Sequence, residues 1–569
     1  MRSLPKEAAT RLALAAICGL LGLASPVHAQ EALRDEAGAI QRRQQDLLEQ
    51  ERRAQRLREA EEAARRPALE APAAPLLEIP PELRDYRFEV KRIALDPSAI
   101  LSAEELKRVT ARYEGREIAF QELAALIGEL NALYAQKHML ARAVLPPQKI
   151  SDGVVTVRLI EARVGAVKLT GNASTAEAYV TRRVKIASGA LVDLDALREG
   201  LVDFNLRNDL SLRAQLAPGA SFGTTDIVLQ AVEPPRWEAT LGFDNAGTEA
   251  VGEERVALNL MARSLTRYRD RIITAGVFTE GSKTGSVLVD VPVWRRGTRL
   301  GAGFDASDIS IENGPLAAAD VTGTASTLTL QATHPLLARP DLRVDGLLAY
   351  RAKQSSTEFF DVEIANVTVR SIEANVSLTK FDATGTWYTQ HGFTSGIDGI
   401  GSDNSFLVYR GEVQRWQRLW GDALLRLSVQ GQWADIDLLP PAEQFQLGGR
   451  YTVRGFREGL LIGDTGYLTS AELRKPVPAQ LFGALAPRFA GRVTGKLFVD
   501  HGGAFPFKGA GEDIGAEDYL SAAGFGFDVT PIKGMSAQLA WSFPIGFRDD
   551  REDYRFIFLV QLGLPQLWR

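Results

Sequence analysis

From residue 236 onward the chain is a succession of runs, eight to fourteen residues long, in which apolar and polar side chains alternate. Trp237, Ala239, Leu241 and Phe243 alternate with Glu238, Thr240, Gly242 and Asp244. Leu425, Leu427, Val429 and Trp433 alternate with Arg426, Ser428, Gln430 and Gln432, and Tyr554, Phe556, Phe558, Val560, Leu562 and Leu564 line one face of the last run. A period of two puts neighbours on opposite faces of a strand, so these runs predict strands with one apolar and one polar face. No stretch after the first thirty residues reaches the roughly eighteen consecutive apolar residues of a transmembrane helix. Two architectures remain. A soluble sandwich buries its apolar rows against a second sheet, whereas a closed barrel turns them to lipid around a wet lumen.

Sixteen runs can be counted, starting near residues 237, 255, 269, 284, 298, 323, 341, 367, 381, 404, 422, 466, 491, 517, 533 and 554. The number is even, as single-chain outer-membrane barrels require. Sixteen strands enclose a channel wide enough for water, so something must fill or gate it. With the front of the chain in the periplasm, odd strands run outward, and the connection from the eleventh run to the twelfth, residues 434–465, faces outside. Loops of that length without structure of their own are functional or disordered.

The first 29 residues read as a secretory signal: Arg2, Lys6 and Arg11, an apolar run over 12–24, and small residues suiting cleavage after Ala29. The only cysteine, Cys18, lies inside it, so the mature chain has no disulfide or thiol chemistry. A net charge of -5 and a pI near 5.8 offer no basic surface for nucleic acid. Residues 31–66 are densely charged; Leu33, Ile40, Leu47 and Ala54 recur every seven positions, but Gln44, Glu51 and Arg58 stand where a second apolar row belongs. A solvated helix or disorder fits this, and a coiled coil lacks its second row. Such a helix, tethered, could also sit inside a polar channel. Pro67, Pro72, Pro75, Pro80 and Pro81 mark a stiff linker over 67–85.

Residues 86–163 and 164–235 repeat one order, β-α-α-β-β. In the first copy a strand spans 87–93, and Ser102 with Glu105 forms a capping box for a helix through Leu106, Val109 and Tyr113. Phe120, Leu123, Ala124, Ile127, Leu130 and Tyr134 hold helical spacing, and strands follow near 141–145 and 154–160. The second copy has a strand at 167–169, a cap at Ser174 with Glu177, a helix through Leu194, Leu197, Leu201 and Phe204, and strands at 210–215 and 226–232.

The long connection carries EQFQLGGRYTVRGF over 443–456. If it folds back into the lumen, Arg454 can meet a wall carboxylate. In the thirteenth run Val493, Leu497 and Val499 face lipid, which turns Lys496, Phe498 and Asp500 inward. Asp500 is then a landing place for a guanidinium fork. In a wet channel such a pair adds little stability and serves to fix position. Taken alone, these residues fit better an exposed turn and an ordinary polar wall.

The tandem repeat behind a signal peptide resembles the POTRA domains of the Omp85 superfamily, most closely over residues 145–169, including Gln148, Asp152 and Gly153. Asn205, Arg207, Pro218, Gly219, Gly223 and Asp226 follow the pattern of two-partner secretion transporters. FDNAG at 243–247, THPLLARPDL at 333–342, QFxLGG with VRGF, Phe498-x-Asp500-x-Gly502 and the closing strand are together similar to TpsB transporters, over nearly the whole mature chain. The resemblance implies an outer-membrane 16-stranded antiparallel β-barrel preceded by two α+β POTRA domains and an N-terminal helix. It implies that Arg454 and Asp500 are the interacting pair of the sixth loop and the barrel wall. Gly448, Gly449, Val453, Gly455 and Phe456 would complete the loop motif, and Phe498 and Gly502 the wall motif. Residues 30–66 would be a mobile plug, and the POTRA domains would capture an extended substrate at contacts left unassigned. The partners it implies are a secreted TpsA-type exoprotein, adhesin- or haemolysin-like, outer-membrane lipid, and the barrel assembly machinery during biogenesis, with no cofactor and no metal.

Three functions follow to be weighed. The first is an export channel in which an unfolded exoprotein binds the periplasmic domains, threads the lumen and folds outside; no GxxxxGK[ST] motif occurs, so the energy comes from elsewhere. The second is an assembly factor of the same superfamily that inserts other barrels, against which stand two front domains rather than a longer array. The third is a barrel enzyme. The histidines beyond the signal are at 138, 334, 391 and 501, none in a GxSxG or HExxH setting, and alternation turns His501 away from the lumen.

Overall fold

A computed structural model of the chain describes residues 37–45, 69–70, 86–150, 152–314, 317–397, 405–436, 438–485, 490–505, 514–546 and 552–564. The signal expected over 1–29, most of the expected plug and linker, and the last five residues lie outside these. The chain divides into two units, residues 61–234 on one side and residues 1–60 with 235–569 on the other. Helix α1, residues 37–45, belongs to the second unit.

The unit 61–234 contains β1 (Leu69–Glu70), β2 (Arg87–Val90), β3 (Arg92–Leu95), α2 (Ala103–Thr110), β4 (Arg116–Ala119), α3 (Phe120–Gln136), β5 (Ala141–Val144) and β6 (Val154–Glu161). It continues through β7 (Arg163–Thr170), α4 (Glu177–Thr181), α5 (Leu194–Arg207), β8 (Ser211–Pro218) and β9 (Thr224–Val232). Leu123, Leu126, Leu130 and Tyr134 of α3 pack on Val155 and Val157 of β6 in one core. Leu201 and Phe204 of α5 pack on Leu212, Ile227 and Leu229 of β8 and β9 in another. The capping box at Ser102 and Glu105 forms as expected.

Two local expectations are corrected. The single strand over 87–93 is two, because Lys91 and Arg92 both turn their N–H groups to the Gly153 carbonyl, at 2.8 and 3.2 Å. β2 then pairs with β4, a four-residue strand between the helices, while β3 pairs in parallel with β6. Ser174 caps no helix: α4 has Ala176 at its N-cap without a side-chain bond, and Ser174 gives its N–H and hydroxyl to Glu233. Asn205 and Asp226 hold their own domain together. Asn205 bonds both the N–H and the carbonyl of Leu212, and Asp226 takes the Ala166 N–H and Lys168 Nζ.

The barrel strands are β10 (Trp237–Asp244), β11 (Arg255–Arg263), β12 (Arg271–Phe278), β13 (Ser282–Pro292), β14 (Arg299–Ser310), β15 (Val321–Ala338), β16 (Leu342–Phe359) and β17 (Val362–Asp382). β18 (Gly385–Gly396), β19 (Leu407–Arg418) and β20 (Leu424–Ala434) follow, and after a long connection containing β21 (Phe445–Leu447) and β22 (Leu461–Gly463) come β23 (Thr465–Pro476), β24 (Val493–Phe505), β25 (Tyr519–Val529), β26 (Met535–Ile545) and β27 (Arg555–Gly563). β10–β20 and β23–β27 close as sixteen antiparallel strands, with β27 pairing back to β10. Closure satisfies the backbone without a second sheet, which is why the alternating rows need no partner layer.

The outward rows are exposed: Val287, Val289 and Val291 on β13, Leu328 and Leu330 on β15, Leu427 and Val429 on β20. Trp237, Trp294, Trp387 and Trp420 stand exposed toward the rim where β10 begins, and Phe393, Trp433 and Phe543 toward the far rim. Aromatic girdles of this kind border the lipid in outer-membrane barrels. No described helix is long and apolar enough to cross a membrane; the strands do so. On β24 Leu497 and Val499 are exposed while Lys496, Phe498 and Asp500 are buried and point inward. Val493 has the outward parity but is buried, at the strand's start, where Val477 N–H bonds its carbonyl.

Candidate functional site: an inward loop anchored to the barrel wall

The connection 435–464 turns into the lumen as a β-hairpin. Phe445–Leu447 pairs with Leu461–Gly463, and the tip between them carries the VRGF tetrapeptide. Gly448 and Gly449 let the chain leave β21, with φ of 101° and 105°. A side chain on Gly448 would also place its Cβ 2.3 Å from the Arg457 carbonyl. The tip closes with Gly449 N–H on the Val453 carbonyl at 3.2 Å and Phe456 N–H on the same carbonyl at 3.3 Å.

Two kinds of contact hold the hairpin. Leu447, Val453 and Phe456 are buried against Leu468, Ala504, Leu520 and Ala522 of the wall. Gly502 leaves the space Leu447 uses, since a Cβ there would lie 3.0 Å from Leu447 Cδ1, and Gly455 packs against Ala522 and Pro544. Burying three such side chains supplies several kcal/mol, at about 1.5–3 each. This apolar face gives attachment, and polar contacts give register.

Arg454 sets the register. Its Nε lies 2.7 Å from Asp500 Oδ2 and its Nη2 2.8 Å from Oδ1, a two-point fork, and its own N–H points at Oδ2 at 3.3 Å. Ser470 Oγ donates to Asp500 Oδ1 at 2.7 Å. The guanidinium also bonds Glu472 and lies 3.5 Å over the Phe498 ring. Asp500 is fully buried and Glu472 nearly so. The wet pair expected from the sequence is therefore a dry one. A wall carboxylate this deeply buried costs much when its cation is removed, about 3–5 kcal/mol, rather than the 0–1 kcal/mol of an exposed pair.

Two residues that the sequence reading missed share the work. Glu472 lies on β23, two positions from Ser470, and the alternation that turns Asp500 inward signals it equally. Glu443, on the ascending stem of the loop, accepts from Lys353 Nζ on β16 at 2.7 Å and from Arg410 Nη2 on β19 at 2.9 Å. Here the loop carries the anion and the wall the cations, so the hairpin is fixed at both ends with opposite polarity.

Helix α1 lies against inward-facing residues of the wall. Ile40 packs with Val251 and Ile309, and Ala37 reaches Gly323 on β15. Gln44 bonds Ser282 and Thr284, and Gln45 bonds Thr327. Arg43 joins helix to loop: its Nε donates to Gln446 Oε1 at 3.0 Å and its Nη1 to the Glu458 carbonyl at 2.8 Å, crossing Gly459 where no side chain obstructs it. Gln446 Nε2 returns a bond to the Ala39 carbonyl. The glutamine at position 44, out of place in an apolar row, suits a wall of serine and threonine. A polar cavity of about 180 Å³ remains between helix, loop and wall, bordered by Arg42, Arg43, Glu373, Gln432 and Tyr451. It has room for a few waters and not for a polypeptide in transit.

His138 is exposed beside Asp195, and His501 faces outward, bonded to Tyr467 and Ser521.

Residues 223–526 match the family described as haemolysin secretion/activation protein ShlB/FhaC/HecB. The chain belongs to this family. Residues 88–162 match the ShlB-type POTRA domain. The outer membrane transporter CdiB-2 of Burkholderia pseudomallei is 25% identical over 95% of this chain and 99% of its own length. The heme/hemopexin transporter protein HuxB of Haemophilus influenzae is 22% identical over 66% of this chain and 70% of its own. Among solved structures, CdiB from Escherichia coli superposes with a TM-score of 0.60 at 19% identity, covering 93% of this chain and 98% of that one. Like its ShlB/FhaC/HecB relatives, this chain is an outer-membrane β-barrel protein whose POTRA region lies in the periplasm, which makes the far rim extracellular.

Proposed function

We propose that this chain secretes a partner exoprotein to the cell surface, and that the lumen occupied by α1 and the hairpin is its resting state. Residues 86–163 and 164–235 serve as two domains that capture the unfolded partner, exposed sheet edges accepting extended segments by strand addition. The partner then passes through the barrel after α1 and the loop have given way. Nothing in this cycle calls for catalysis; the chain works as a conduit. Lipid surrounds the barrel, and the assembly machinery inserts it.

One observation carries the reading: the lumen is filled by two segments held to the wall, and to each other, through polar bonds and small apolar contacts instead of a continuous dry core. Such a filling can leave and return. Membership of a secretion family over more than half of the chain favours export over insertion of other barrels. If a neighbouring gene encodes a long β-repetitive exported protein, the test is to express the chain together with that protein and to score it outside the cell. Export that depends on this chain supports the reading. A general loss of other outer-membrane barrels on deleting it, with export unaffected, supports the assembly factor.

A further inference from the structure

The barrel's closing seam has the shortest backbone ladder among the barrel's described junctions. β10 and β27 register over five residue pairs, Thr240–Asp244 against Leu559–Gly563, with one further bond from Leu564 N–H to the Ala239 carbonyl. Every other junction of the barrel registers at least eight pairs. Toward the extracellular rim the ladder stops and side chains replace it. Asn245 gives its amide to the Phe556 carbonyl at 2.7 Å and takes the Phe558 N–H at 3.0 Å, imitating one more ladder step. Arg555, at the start of β27, reaches Glu253 beyond β10 at 3.0 Å.

The third crossing comes from neither strand. Arg457, three residues past Arg454 in the inward loop, donates from Nε to Glu552 at 2.9 Å and from Nη1 to Glu249. Glu249 lies in the connection leaving β10, and Glu552 in the connection entering β27. One guanidinium thus bridges the two ends of the barrel. We propose that Arg457 is a positioning residue that clasps the seam at the extracellular rim, so that its closure there depends on the loop staying docked.

All three groups are partly exposed, so the clasp is modest in strength and screened by salt. Amide hydrogen exchange on the full-length protein in detergent reads it directly, in peptides covering β10 and β27 with β15–β17 as the internal control. Arg457→Ala should speed exchange in the seam peptides roughly three- to ten-fold at low salt, the range expected for losing one or two exposed ion pairs, and leave β15–β17 unchanged. Wild type should approach the variant as salt rises. Arg454→Ala, which touches neither end strand, should loosen the seam as well. Arg457→Lys, which keeps the cation, should keep most of the protection, whereas Arg457→Met, which keeps the bulk without the charge, should lose it, a contrast that a purely local packing role would not give. Seam exchange identical in Arg457→Ala and wild type at low salt overturns the clasp. A seam loosened by Arg457→Ala but untouched by Arg454→Ala overturns its dependence on the loop.

Discussion

Lys353 on the barrel wall and Glu443 in the inward loop form a buried ion pair, 2.7 Å apart, whose charge sense is opposite to that of Asp500 and Arg454. The hairpin is therefore held by an anion at its stem and a cation at its tip, and a rigid shift of the loop breaks both pairs together. Glu443→Gln leaves the buried Lys353 and the half-buried Arg410 without their counter-charge and should cost loop docking about 3–5 kcal/mol. Trypsin cleavage at Arg450 and Arg457 would report this as faster nicking. Replacing the pair together, Lys353→Met with Glu443→Leu, should nick more slowly than the single variant, because only Arg410, and no longer the buried Lys353 as well, is then left without the Glu443 carboxylate.

Helix α1 and the loop share Arg43, so the plug should leak by degrees. Deleting residues 31–66 should raise single-channel conductance in planar bilayers. Arg43→Ala, which removes the bonds to Gln446 and the Glu458 carbonyl but keeps the helix, should give more frequent openings of intermediate size. Conductance unaltered by the deletion would reject α1 as the obstruction.

The tip depends on two glycines for different reasons. Gly448 has a φ that other residues adopt at a cost, and its missing Cβ leaves room for the Arg457 carbonyl; Gly448→Ala should destabilise docking by about 1–3 kcal/mol. Gly502 has ordinary backbone, and a side chain there would meet the Tyr467 carbonyl on the neighbouring strand as well as Leu447, so Gly502→Val should shift the wall under the hairpin and undock the loop. Both should speed tryptic nicking, and Gly448→Ala, confined to the loop, should do so without changing barrel insertion, judged by heat-modifiable migration on gels.

Much of the barrel was legible because period-two alternation is a local signal. The runs expected near 237, 255, 466 and 554 begin at Trp237, Arg255, Thr465 and Arg555. The parity that turns Asp500 inward follows from the same signal. Glu443 was not legible in this way: it lies outside any strand, and its partners are 90 and 33 residues distant. Nor was the dryness of the Arg454 site, which arises from the hairpin covering the wall. In the front unit β4 was hidden because four residues between two helices show no period, and Ser174 misled because Glu233, far along the chain, takes the bonds a helix would have taken.

The front unit should show an acid dependence seated at the start of α2. The backbone N–H of Ser102, then the Lys137 ammonium and the Ser102 hydroxyl, hold the Glu105 carboxyl at a pKa of about 2, below its ordinary 4.5. A lowered folded pKa stabilises the fold above the unfolded value, so this contribution is complete above pH 4.5 and fades as pH falls toward 2. Proteolytic protection of residues 86–163 should fall over that window in wild type. Glu105→Gln should have lower protection at neutral pH and a flatter profile.

The most direct test of the anchored loop is secretion of the partner exoprotein by Arg454→Ala and Asp500→Ala, with barrel insertion followed in the same cells. Each change should impair secretion strongly while the barrel remains inserted and heat-modifiable. Secretion at the wild-type level in both variants would contradict the account.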